Sequence, residues 1–103
     1  MPSDLRELSG IDRLLHEPAR LMIAALLYPI KGADFLFLLK ETGLTKGNLS
    51  SHLSRLEQAG YVAIEKSFRG KLPHTVCRLT ASGRKTFRAY REALKAISQK
   101  LAD

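Results

Sequence analysis

The stretch GLTKGNLSSHLSRLEQAGYV, residues 43–62, constrains this chain more than any other. Thr45 suits an N-cap, because its hydroxyl accepts a hydrogen bond from a free amide of the first turn. Leu49, Leu53 and Leu56 recur at steps of four and three, which sets one apolar stripe along a helix. At about 100° per residue the opposite side carries Gly47, Asn48, Ser51, Ser54, Arg55 and Gln58. That side is small, polar and almost free of acid. A face built only for solubility mixes Glu with Lys. This one has the character needed to lie in a major groove, where short polar side chains and Arg read base edges. Gly60 stands where a C′ residue ends a helix, and the β-forming Tyr61-Val62 follows at once. The pattern predicts a recognition helix feeding into a wing.

Charge follows the same division. Of 103 residues, those from 44 to 91 hold ten Lys/Arg against two Glu, a net +8. Residues 1–43 sum to −1 and residues 92–103 to zero. A basic region confined to one segment is the electrostatic footprint of nucleic-acid binding. The length fits one domain over residues 1–103. The longest apolar run, residues 21–30, is interrupted by Pro29 and falls short of the roughly 20 residues that cross a bilayer, so no membrane partner is expected. The N-terminal MPSDLRELSG lacks the basic and apolar regions of a signal peptide. Cys77 is the single cysteine, so no intrachain disulfide is possible, which fits a reducing, cytoplasmic location.

Taken in order, Leu5, Leu8, Ile11, Leu14 and Leu15 space an amphipathic helix over residues 3–15. Pro18 opens a second helix to about Tyr28, with Leu21, Met22, Ala25 and Leu26 or Leu27 inward. Residues 33–42 read as a third, with Phe35, Leu36, Leu38 and Leu39 inward. The Gly43-Leu44-Thr45 link to the next helix is a helix-turn-helix connection. Residues 61–68 and 75–80 alternate as strands around a basic, turn-rich tip at 69–74. Thr80 caps the last helix, on which Phe87, Tyr90, Leu94, Ile97 and Leu101 form a narrow heptad seam. A seam of large residues on a terminal helix needs a partner, and a second copy is the economical one. Residues 79–103 are therefore expected to be a dimerisation helix, with Leu5 and Leu8 joining Phe87, Tyr90, Leu94, Ile97 and Leu101 at the interface. The fold class is mainly α with a small β-hairpin wing.

LTKGNLSSHLSRLEQAGYVAIEKSF, then PHTVCRLTASGRKTFRAY, resembles the compact winged-helix transcriptional regulators of bacteria and archaea, of the MarR and ArsR types. The resemblance covers residues 43–68 and 73–90, and more loosely the helices before them. It implies a homodimer packed through terminal helices, two recognition helices in successive major grooves, and a role in switching transcription. No effector-binding or metal-sensing addition is evident, and no small-molecule effector is specified.

The expected contacts to double-stranded DNA are Thr45, Lys46, Gly47, Asn48, Ser50, Ser51, Ser54 and Arg55 on the helix, and Arg69, Lys71 and His74 on the wing. Arg55 suits a guanine edge or a phosphate, Asn48 an adenine or a phosphate, and Gly47 a close backbone approach. Lys66 and Arg78 fit a salt bridge as well as a contact. His52 flanks the apolar stripe, as a packed or polar-contact ring or as a pH sensor. Cys77 reads as a small buried residue, with a redox-sensing thiol as the alternative. His16, His52, His74 and Cys77 lack metal-ligand spacing, so neither a metal nor a cofactor is expected. No nucleophile signature, paired acids or phosphate loop appears, so the chain is not expected to be an enzyme. The expected function is a sequence-specific DNA-binding repressor acting as a homodimer. The alternative is a winged-helix module that binds protein or RNA.

Overall fold

Pro18 fixes where the first helix begins. The computed structural model describes residues 9–102, and its α1 (Pro18–Leu27) starts at that proline. Glu17, in extended conformation, caps it by accepting from the Ala19 and Arg20 amides. Upstream, residues 3–8 of the expected amphipathic helix, with Leu5 and Leu8, lie outside the described residues. The described remainder is not α-helical: residues 9–10 form a 3₁₀ turn and residues 13–15 a hydrogen-bonded turn. Asp12 is the reason. Its Oδ1 accepts from the Leu15 amide at 2.9 Å and its Oδ2 from the Tyr61 hydroxyl, so the side chain competes with helical pairing. Ile11 and Leu15 still reach the core.

α1 packs a different face from the expected one. Ala19, Ile23, Ala24 and Leu27 are buried; Leu21, Met22 and Leu26 are half-buried and Ala25 is exposed. A helix apolar nearly all round leaves its rotation to its neighbours, and periodicity alone could not select the face. The third expected helix also starts later. Asp34 accepts from the Phe37 amide at 2.7 Å as N-cap, so α2 runs Phe35–Thr42, and Ala33–Asp34 becomes a short strand, β1. On α2, Leu38 is buried, Phe35 and Leu39 are half-buried, and Leu36, expected inward, is exposed.

α3 (Lys46–Gln58) follows after the expected turn, capped by Thr45, with Leu49, Leu53 and Leu56 at 0%, 2% and 0% exposure. Then β2 (Val62–Arg69) pairs antiparallel with β3 (Leu72–Leu79), and β1 adds to the far side of β3, giving a three-stranded sheet of order β1-β3-β2. The expected loop at residues 69–74 contracts to Gly70-Lys71, because the ladder continues to the Arg69↔Leu72 pair. Gly70 has φ +63°, which suits the first position of a two-residue hairpin turn.

α4 (Ala81–Leu101) is tied to the sheet at its first turn. Thr80 donates its amide to the Tyr61 carbonyl at 3.0 Å and its hydroxyl to the Gly60 carbonyl at 2.6 Å, and it accepts from the Gly83 amide. Gly83 sits so close that a Cβ there would stand 2.1 Å from the Tyr61 carbonyl oxygen. Arg84 donates to the Tyr28 and Ile30 carbonyls, closing the end of α1. Phe87 packs on the Tyr28 ring at 4.9 Å, and the Tyr90 hydroxyl shares a 2.7 Å hydrogen bond with His16 Nδ1. These contacts alter the reading of the seam. Phe87, Tyr90 and Ile97, expected between two copies, are already buried within one chain. Leu94 is half-buried and Leu101 is 70% exposed, so only the distal part of the seam stands open.

Gly83 and Gly47 should therefore respond oppositely to the same change. Gly83→Ala is expected to destabilise the fold by about 2–3 kcal/mol, since backbone must move. Gly47→Ala, with open space around it, should be neutral or stabilising by up to about 1 kcal/mol. Urea denaturation of both checks this, and equal effects would refute the close approach.

Candidate nucleic-acid interface

The buried leucine stripe decides which side of α3 faces water. Lys46, Gly47, Asn48, Ser50, Ser51, Ser54 and Arg55 are all exposed, as is the capping Thr45. The Thr45 hydroxyl accepts from the Asn48 amide at 3.1 Å, so that oxygen already serves the helix end. Gly47 and Ser51 lie farthest from the core. Helical spacing puts Asn48 and Arg55 on one flank, and Ser50, Ser54 and Glu57 on the other.

The second flank borders the sheet. Ser50, Leu53, Ser54 and Glu57 of α3, Phe35 of α2, and Ile64, Lys66 and Thr75 of the hairpin line an open groove of about 650 Å³. The register explains this lining. Opposed pairs Val62↔Leu79, Ile64↔Cys77, Lys66↔Thr75 and Phe68↔Pro73 share the face that turns toward the helices. The other face carries Glu65, Ser67, Arg69, Leu72, His74 and Arg78. Arg69 and His74, both expected as contacts, therefore lie on the side away from α3, and Lys71 sits in the turn. Lys66, read equally as a contact or a salt-bridge partner, and Thr75, absent from the expected contacts, border the groove. The alternation Val62, Ile64, Lys66 already contained that information for the lysine. Arg78 stands 3.8 Å from Glu65 in an exposed ion pair, which contributes little.

On the far flank His52 meets α1. Arg20 Nη1 lies 3.1 Å from His52 Nδ1, and Glu17 Oε2 lies 3.4 Å from the same nitrogen. Arg20 is buried, with Nε donating to the Leu14 carbonyl at 2.7 Å. His52 is thus a polar contact that links α3 to α1. Burial pushes the Glu17 carboxyl up, but hydrogen bonds from the Ala19 and Arg20 amides and the adjacent His52 and Arg20 outweigh it, leaving the group below its ordinary value. Cys77 has no exposed surface, and burial, then Glu57 and Asp34, push its thiol up to about 11. That keeps it protonated and unreactive at neutral pH. Not all the positive charge of residues 44–91 serves α3 and the wing. The Arg84 and Arg91 guanidinium carbons lie 5.5 and 5.3 Å from the Tyr28 ring centre, and Arg88, with burial opposing it, holds the Tyr28 hydroxyl below its usual pKa.

The arrangement matches known proteins. A family model described as a winged helix DNA-binding domain fits residues 19–98. A Methanocaldococcus jannaschii protein, described as uncharacterized, is 32% identical over 89 residues, 86% of this chain and 97% of that one. The structure of a transcriptional regulator homologue from Pyrococcus horikoshii OT3 superposes with TM-score 0.89 at 32% identity, covering 99% of this chain and 100% of the other. A MarR-family transcriptional regulator from Silicibacter pomeroyi shares the fold, with TM-score 0.65 at 19% identity over 96% of this chain and 64% of its own.

The Glu17 cap carries a pH signature. Its folded carboxyl ionises more readily than the unfolded one, so its contribution is complete above the unfolded pKa and is lost as pH falls through the folded value. Glu17→Ala should destabilise the protein by about 1 kcal/mol at neutral pH. The gap to wild type should narrow on acidification below the ordinary value of 4.5. Denaturation at stepped pH measures it, and a gap independent of pH would contradict the assignment.

Proposed function

This chain belongs to the winged helix DNA-binding domain family, and we propose that it acts as a homodimeric, sequence-specific regulator of transcription that represses by occupying a promoter. The observation that carries the reading is the exposed, acid-free face of α3 from Lys46 to Arg55, held beside a groove and a cationic hairpin. In this reading α3 enters the major groove with Gly47 and Ser51 deepest. Asn48 and Arg55 on one flank meet adenine and guanine edges, pairings that their side-chain geometry favours.

The strand separating the two grooves of the duplex then runs between α3 and the wing. Ser50, Ser54 and Thr75 offer hydroxyl donors to its phosphates, and Lys66 supplies a positive charge. Glu57, at the end of the same flank, accepts only; it suits the amino edge of a cytosine and repels phosphate. Thr45 contributes by fixing the helix start, where free amides and the positive end of the helix face an anion. Lys71 at the hairpin turn, with Arg69 beside it, grips the flanking backbone. His74 on the back of the hairpin is left with a minor part.

The second copy docks on the distal half of α4. Leu101 and the open side of Leu94 supply the apolar surface there, while Phe87, Tyr90 and Ile97 hold α4 to its own chain. The opposing reading as a protein-binding module favours apolar side chains on the outer face of α3, and that face has none. An RNA-binding module would share its polar, cationic character and is separated from the DNA reading by the selection below.

Selection of bound duplexes from a random library tests both parts together. The expected result is a palindrome whose half-sites lie about 10 base pairs apart or a multiple of that. A single asymmetric site would contradict the homodimer. No enrichment of any duplex, or preferential retention of single-stranded RNA, would contradict the DNA reading.

A further inference from the structure

The hairpin ends in two large apolar side chains that nothing covers. Phe68 is 72% exposed and Leu72 is 71% exposed. β1 pairs only with Val76 and Cys77 of β3, so from Lys66↔Thr75 outward the hairpin is a free two-stranded ribbon. In the ladder Phe68 opposes Pro73 on one face, and Leu72 opposes Arg69 on the other. The ribbon's end is therefore apolar on both faces and closes with the narrow Gly70-Lys71 turn.

That distribution says what kind of partner fits. A flat docking surface gathers its apolar side chains into one contiguous patch on one side. Here they stand back to back, as on the two cheeks of a wedge. The surrounding charge is cationic: Arg69 and Lys71 flank the tip, and Lys66 lies behind it. The nearest acid along the ribbon, Glu65, is drawn back to Arg78. An apolar wedge rimmed by cations fits a polyanion with stacked, apolar planes between its charges, which describes a duplex.

We propose that Phe68 and Leu72 enter the minor groove as an apolar wedge that unstacks a base step and bends the DNA; this rests on the DNA-binding reading above. A ribbon with side chains on both faces is roughly 10 Å thick. An undeformed minor groove is only about 6 Å wide. The ribbon enters only if the groove opens, and apolar side chains pressed against a base step open it by partial unstacking, with a kink of about 20–90°. Arg69 and Lys71 then hold the phosphates on the two sides of the opened groove. The wing thereby selects for steps that unstack readily, such as TA and CA, at positions where it makes no hydrogen bond to a base.

The test uses the full chain, a duplex recovered from the selection, and the double variant Phe68→Ser/Leu72→Ser. Both positions are mostly exposed, so circular dichroism and thermal melting should match wild type. Duplex bending is read by energy transfer between end-labelled strands, and affinity is read across a salt series. The expected result is a bend with wild type, loss of most of that bend with the variant, and affinity weaker by about tenfold or more with a salt slope lower by about one to two, because Arg69 and Lys71 lose the phosphates of the opened groove. An unbent wild-type complex, or a variant that bends the duplex equally, would overturn the wedge while leaving the DNA-binding reading intact. A variant that bends DNA normally but sediments as a lighter species would instead assign the apolar tip to contact between copies, and would also overturn it. Failure of wild type to bind any duplex would remove the DNA-binding reading and the wedge with it.

Discussion

Burial of three leucines on one helix sets the geometry on which everything else depends. Leu49, Leu53 and Leu56 are sealed against α1, α2 and the sheet, each worth about 1.5–3 kcal/mol relative to exposure. Turning α3 by one residue position, about 100°, would expose them all, so its rotation about its own axis is fixed. Fixing that rotation fixes what the other side presents. A second link acts at the flank, where the ring of His52 on α3 meets the buried Arg20 and the capping Glu17 of α1. α3 is thus held by apolar packing beneath and by a polar clamp at its side. A reading surface is useful only if its side chains keep their positions, because a displacement of a fraction of a hydrogen-bond length changes which base edge is met.

The hairpin is positioned by a different junction. Gly60, Tyr61, Thr80 and Gly83 bring the end of α3, the start of β2 and the start of α4 within hydrogen-bond distance of one another. The Tyr61 hydroxyl adds a tie to Asp12 in the N-terminal turn. Burial and that carboxylate both hold the Tyr61 proton on, Asp12 contributing more. Arg84, one residue past Gly83, reaches back to the carbonyl end of α1. The base of the wing therefore moves with α3 and α1, while its outer ribbon has no third strand to restrain it. In the proposed complex, a rigid base and a free tip would divide the labour between reading a fixed register and following a deformable groove.

Much of this was legible in the chain. The leucine spacing, the Thr45 and Thr80 caps and the basic segment fixed α3, α4 and the hairpin from residue types alone. What escaped has physical causes. Asp12 turned an amphipathic spacing into a capped turn, because a short carboxylate competes for nearby amides. Asp34 delayed α2 for the same reason and released Ala33 to pair with Cys77. α1 offered several apolar faces, and only tertiary packing chose one. Phe87 and Tyr90 looked like a seam awaiting a second copy because their partners, Tyr28 and His16, lie 59 and 74 positions away in the chain. In the candidate interface, the exposure of the polar residues of α3 was readable from the stripe. The face of Lys66 followed from its alternation with Val62 and Ile64, whereas the faces of Arg69 and His74 depended on a hairpin register that their loop-like sequence concealed.

The central claim is that the outer face of α3 seats in a major groove. Ser51 is exposed at the middle of that face, clear of the core and of the groove lining. Replacing it with Glu places one negative charge where the duplex would lie and leaves the fold untouched. Titration of Ser51→Glu against the selected duplex is the direct measurement. The account predicts binding weaker by about a hundredfold or more at unchanged thermal stability, since like charges in a docked interface repel by several kcal/mol. Affinity equal to wild type would contradict it.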